Sequence, residues 1–279
     1  MSQAENIHVP MSRSVRQRGG YPNLGANLSR VALILSALFL LLPILVIVPL
    51  SFGNQRYLAF PGAEWSLRHY ATLLDSAWLL SIMQSLGLAL VVGALSCALA
   101  VLFTTGIWLQ RRYRVLLTTI VLLPMIVPQV VSAMSIYYLD ARLGILDSLL
   151  GVGLGHLLMA MPYSVIAMLV AYSRLDISLY NAARSLGAGL WTTLRKVLMP
   201  NLRAGMFTSF FMGFVMSWEE VVVSLFTSGL NVMTLPKRIW DGLRYNLDPA
   251  IAAVSTLMIL ITLVVMFARI YIGQRSRTR

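Results

Sequence analysis

Apolar residues gather along this chain into six runs, at approximately 31–51, 79–108, 115–139, 148–172, 204–228 and 250–272. A helix crosses the roughly 30 Å hydrocarbon core of a bilayer with about 20 such residues, because its backbone polar groups are all satisfied within the segment. The pattern therefore predicts an all-α integral membrane protein with six transmembrane helices. The first run exceeds the apolar region of a secretory signal, and no A-x-A-like site follows it, so it is expected to be retained.

The polar residues between the runs set the expected orientation. With the N-terminus inside, 16 of the 22 Lys and Arg fall on the inner side, while Arg56, Arg68, Arg142, Lys237, Arg238 and Arg244 fall outside. Short cytoplasmic segments carry excess basic residues, so both termini are expected to be cytoplasmic. The organisation that follows is a basic tail (1–30), a six-helix domain (31–272) and a short C-terminal tail (273–279). Composition agrees, with 58% hydrophobic and 11% charged residues. The net charge of +12 calls for no nucleic acid, since most of it would face the anionic lipid of the inner leaflet.

Several chemistries are excluded. A phosphate-binding loop needs G-x-x-x-x-G-K-[ST], and the two lysines, Lys196 and Lys237, follow Arg195 and Pro236. No zinc-protease motif, serine-hydrolase elbow or Cys/His cluster with metal-ligand spacing is present. No catalytic, cofactor or metal residue is expected, and the chain is not read as an enzyme. Cys97, alone of its kind, is expected to be a packing residue. GVGLG, 151–155, offers small residues that let apolar helices approach, and His156 after it is expected to form an interhelical hydrogen bond. Pro124 and Pro128 should kink or unwind the third run. Gln129 beside them would line a path or belong to a bent packing helix.

MSWEEVVVSLF, 216–226, places Glu219 and Glu220 inside the fifth run. A charge near the bilayer centre costs roughly 2.5–3.5 kcal/mol on insertion scales, so such positions usually face protein or water. Adjacent residues on a helix point about 100° apart. Glu220 falls on a stripe of small and polar residues, Ser209, Gly213, Ser217, Ser224 and Thr227, whereas Glu219 is flanked by apolar ones. Glu220, with Ser217, Ser224 and Gln129, is expected to face a polar cavity that attracts cations, and Glu219 to pair with another helix or subunit. A purely structural interhelical bond is the alternative. Diverging neighbours fit poorly the convergent geometry of a carboxylate dyad in a membrane-embedded enzyme. A passive channel or scaffold subunit is a further rival.

Residues 173–205 are long for a connector. Asp176 or Ser178 can cap a short helix, and Gly187 suits the backbone reversal that ends it. A second helix is expected from Gly189 to Met199, with Leu190, Trp191, Leu194, Val197 and Leu198 on one side, and Pro200 is expected to stop it. Two short helices at an angle would dock a cytoplasmic partner, or the second would lie in the headgroup region.

The spacing from Asn181 to Pro200 resembles the EAA loop of the ABC importer permeases. Ala182, Ala183, Gly187, Ala188 and Pro200 match, with Asn181 in place of the usual Glu and Met199 in place of Leu. MSWEEVVVSLF and LPKRIWDGLRYNLDPAIAAVSTL (235–257) are similar to the spermidine/putrescine permease branch, where an Asp pair stands for Glu219 and Glu220. The resemblance implies a type I permease fold and a multi-pass protein of the bacterial inner membrane. It implies a second permease subunit, expected to be a different chain, two ATPase subunits that bind ATP and Mg, and a periplasmic solute-binding protein. A polyamine is the implied solute, with an amino acid derivative, an opine or an aminophosphonate as alternatives on the same machinery.

Overall fold

The computed structural model describes residues 24–62, 64–246 and 248–277. Most of the basic N-terminal tail lies outside the described residues. Among them, all regular structure is helical: α1 (Leu24–Leu50), α2 (Arg68–Thr72), α3 (Ser76–Leu109), α4 (Arg114–Ile126), α5 (Gln129–Leu143), α6 (Leu149–Ser173), α7 (Ile177–Ser185), α8 (Leu190–Thr193), α9 (Met199–Trp218), α10 (Val222–Thr227), α11 (Leu235–Asp241) and α12 (Ala250–Arg277). The chain divides at Ile47–Val48 into two units. Within the first unit α1 is apolar all round and exposed, as a helix bathed in hydrocarbon would be.

By length and composition α1, α3 and α6 can each cross a membrane. The third run is interrupted where its prolines were expected to kink or unwind it: α4 and α5 meet at 98°, and count as a fourth span only if taken together. Pro128 supplies the reason, since it has no N–H to give the preceding turn and sits extended at the start of α5. The expected fifth span is also interrupted, ending as α9 at Trp218 and resuming as α10 at Val222. The break falls on the two carboxylates. Toward the C-terminus, α12 opens with the apolar stretch Ala250–Val264.

The core of the second unit is a three-helix contact of α3, α6 and α9. Cys97, Ala100 and Val101 of α3 meet Val165, Met168 and Tyr172 of α6 and Leu202 of α9. Small polar residues make this contact close: Ser209 Oγ donates to Ser164 O at 3.0 Å, and a Cβ on Gly213 would run into Ser96 Oγ. In hydrocarbon, backbone approach and such hydrogen bonds replace the hydrophobic drive that packs helices in water. α10 packs against both α5 and α6, which brings the two helix breaks together.

Candidate functional site

Glu220 sits where the two breaks meet and is 3% exposed. Its Oε1 accepts the Val223 backbone N–H at 2.9 Å, capping the first turn of α10. Its Oε2 accepts Gln129 Nε2 at 2.7 Å, from the first turn of α5. One carboxylate thus takes a backbone donor that the break before α10 leaves free and a side-chain donor from the start of α5. The carboxylate lines a cleft of about 330 Å³ with Gln129, the turn from Pro124 to Pro128, Met159, Tyr163 and Met216. The cleft thus combines anionic and amide oxygens with an aromatic ring and the three thioethers of Met125, Met159 and Met216. Such a lining suits an alkylammonium group, with charge at one end and methylenes along the walls.

The stripe read from the sequence is buried throughout: Ser209, Gly213, Ser217, Glu220, Ser224 and Thr227. Ser217 and Ser224 do not face the cleft, for they hold the two ring nitrogens of His156, each at 3.0 Å. His156 is therefore interhelical, as expected of it. Glu219 is exposed and has no side-chain partner among the described residues of this chain, so of its two expected pairings the one with another helix of this chain is not made.

A second, larger cleft of about 630 Å³ runs between α6 and α9 toward the start of α7, past Val170, Arg174, Asp176, Asn201 and Thr208. Tyr163 lines both clefts. Its position between them was not singled out from sequence, because one aromatic in an apolar run carries no signal of its own.

The loop 173–205 forms a folded projection. Asp176 Oδ1 accepts the Ser178 N–H at 2.9 Å and starts α7. At the other end Gly187 has φ +83°, Gly187 N donates to Arg184 O at 3.0 Å, and Ala188 N donates to Ala183 O at 3.1 Å. This is the paired closure that satisfies the last carbonyls of a helix, and it needs a left-handed residue that glycine supplies without strain. Arg184 Nη1 donates to Ala188 O at 2.7 Å and pins the turn. Ala183 is buried, while Asn181, Ala182, Gly187 and Pro200 are exposed.

Pro200 does not stop the second helix. α8 passes through a wide π turn, Leu194–Leu198, directly into α9. Pro200 occupies the first turn of α9, where no donor is needed, and Asn201 Nδ2 caps Val197 O at 2.7 Å. Leu186, Leu190 and Trp191 are 89%, 58% and 67% exposed, an apolar patch at the tip. Tyr180 of α7 meets Trp108 of α3 edge-on at 5.7 Å, and Trp108 in turn meets Tyr172 at 5.7 Å. The projection thereby packs on the core helices through these three rings.

At the opposite end Asp147 was not anticipated. Its carboxylate accepts the backbone N–H groups of Gly229, Leu230, Asn231 and Val232 and the Asn231 side-chain amide, at 2.6–3.0 Å. Burial pushes this carboxyl up, but the four amides outweigh it and hold it below the ordinary aspartate range. From α3, Gln84 and Ser85 bond Met233 N and Leu235 N, and Arg238 Nε donates to Ser81 Oγ at 2.6 Å. The segment after α10 is thus tied to two other elements.

Residues 98–278 match the family described as binding-protein-dependent transport system inner membrane component. The chain is 26% identical over 249 residues to the spermidine/putrescine transport system permease protein PotC of Escherichia coli (strain K12), covering 86% of this chain and 91% of that one. To the putrescine transport system permease protein PotI of the same strain it is 27% identical over 259 residues, covering 88% and 90%. Its fold resembles a chain in the crystal structure of a bacterial ABC transporter involved in the import of the acidic polysaccharide alginate. That likeness has a TM-score of 0.63 at 18% identity and covers 89% of this chain and 96% of the other, so it bears on fold alone.

Proposed function

The chain belongs to the inner membrane components of binding-protein-dependent transport systems, and from that premise we propose that it is a permease subunit of an importer for a polyamine of the spermidine/putrescine class. The observation that carries this reading is Glu220, a buried carboxylate held at two helix breaks and lining a cleft of methionine, tyrosine and amide groups. An ammonium group is the chemical complement of such a site, and the PotC and PotI relatives are named for solutes that carry ammonium groups.

In this reading the chain crosses the inner membrane six times, with the α4–α5 pair as a broken third span and both termini cytoplasmic. The fold is that of a type I importer. A second permease subunit faces the clefts, two ATPase subunits bind ATP and Mg below, and a periplasmic binding protein delivers solute above. Solute released near Glu220 passes Tyr163 into the inner cleft as the subunits alternate access. The projection around α7, with Ala183 packed inward and Leu186, Leu190 and Trp191 outward, docks an ATPase subunit. Closure of the ATPases then reaches α3 through Tyr180 and Trp108. The chain's part is conduction, since Glu219 and Glu220 point apart and present no convergent pair for acid–base chemistry.

The test is to purify the assembled transporter with its binding protein and measure thermal shifts and vesicle uptake with spermidine, putrescine, neutral amino acids and acidic sugars. Polyamines are expected to stabilise the binding protein and be accumulated on ATP addition. Stabilisation and uptake of an acidic or neutral solute, with none of a polyamine, would overturn the solute class.

A further inference from the structure

His156 lies on α6 and is 1% exposed. Its Nδ1 meets Ser217 Oγ in the last turn of α9, and its Nε2 meets Ser224 Oγ in α10. Between those serines lie Glu219, Glu220 and Val221, where the helix is interrupted. At its two edges Glu219 has φ −93° and ψ 0°, and Val221 φ −98° and ψ −38°. The imidazole grips one hydroxyl on each side of that interruption, and so ties α9 and α10 to one point on α6.

The Ser224 hydroxyl has one hydrogen and lies 3.0 Å from Glu220 O. Given to that carbonyl, the hydrogen leaves Nε2 to carry the ring proton and donate it to Ser224 Oγ; in the neutral ring Nδ1 is then the acceptor, and the Ser217 hydroxyl donates to it. The bonds run in one direction, from Ser217 through the ring and Ser224 to the carbonyl of the residue whose carboxylate lines the cleft.

We propose that His156, as its neutral Nε2–H tautomer, is the positioning residue that keeps the break open and Glu220 turned toward Gln129. The proposal rests on Glu220 acting in solute passage.

The test uses the complete transporter, with both permease subunits, the ATPases and the binding protein, in membrane vesicles. His156→Phe keeps an aromatic ring and loses both hydrogen bonds; His156→Gln keeps one donor and one acceptor. His156→Phe is expected to lower polyamine uptake per assembled complex about tenfold, as the loss of buried hydrogen bonds implies, with His156→Gln recovering most of it. Adding Glu220→Gln to His156→Phe is expected to cause little further loss, because both act on one group. Nitrogen NMR of ¹⁵N-histidine protein, assigned by the signals missing in His156→Phe, is expected to show the Nε2–H tautomer. Losses that multiply, or an Nδ1–H tautomer, would overturn the proposal. If His156→Phe fails to assemble, the wild-type spectrum and the His156→Gln/Glu220→Gln combination decide in its place. Unchanged uptake in Glu220→Gln alone would defeat the solute role of Glu220, while the spectrum would still test the tautomer.

Discussion

Gln129 and Glu220, 91 positions apart, meet at 2.7 Å where two helices are broken. The pairing joins an amide to a carboxylate, so the negative charge is held without being cancelled by a cation. A lysine or arginine at position 129 would have stabilised Glu220 more strongly and closed the site to a cationic solute. The amide fixes the carboxylate in place and leaves its charge available to the cleft.

Glu220→Gln removes that charge and preserves the shape. Uptake per assembled complex is expected to fall about ten- to a hundredfold, the range corresponding to a lost charge-assisted hydrogen bond. Complex assembly and basal ATPase activity should be unchanged. Vesicle uptake compared with subunit stoichiometry checks this, and wild-type kinetics would count against the solute role.

Gly187→Val should uncouple the transporter. At φ +83° a β-branched residue is strained by roughly 1–2 kcal/mol, and nothing in the surrounding space hinders it sterically, so the effect isolates backbone conformation. The closure of α7 through Ala188 and Ala183 should loosen, with loss of solute-stimulated ATPase activity and weaker ATPase co-purification. Full stimulation in the variant would remove the docking role from this turn.

Asp147 predicts an acid dependence of stability. Its carboxyl is held below the ordinary value in the folded chain, so the ionised form stabilises the fold at every pH above about 3.9, the unfolded aspartate value. That contribution is lost as pH falls through the lower folded value. Asp147→Asn should flatten the thermal-stability profile in that acid range and lower stability at neutral pH by about 1–3 kcal/mol, since an amide nitrogen faces donors. Differential scanning of the detergent-solubilised protein across pH checks both.

Gly155 and Gly106 should respond in opposite directions to alanine. A Cβ on Gly155 would lie 2.6 Å from Val223 Cγ1 and 3.2 Å from Ile136 Cγ2, whereas one on Gly106 meets nothing within 4 Å. Gly155→Ala is expected to destabilise by about 1–3 kcal/mol by forcing α10 and α5 off α6. Gly106→Ala, in the open face of α3, should gain up to about 1 kcal/mol in helix propensity. Thermal unfolding of the two variants side by side separates packing from propensity.

Hydrophobic patterning alone determined that this chain is a helical membrane protein, because the cost of unpaired backbone in hydrocarbon leaves apolar runs no other choice. Local chemistry likewise narrowed the cap of α7 to Asp176 or Ser178, of which the fold uses Asp176, and placed the Gly187 reversal, since a cap and a positive φ depend on a few neighbouring residues. The six-residue polar stripe was legible from spacing. Its division of labour was not: Glu220 turns to the cleft while Ser217 and Ser224 turn to His156, and that depends on a break whose position no apolar pattern marks. Pro200 misled for a similar reason, because a π turn carries the chain into α9 with the proline in its first turn. Asp147 gave no sequence signal, for its five donors lie more than eighty residues away. Which helices come close enough to satisfy a buried polar group is a long-range question, and only the packing of α5, α6, α9 and α10 decided it.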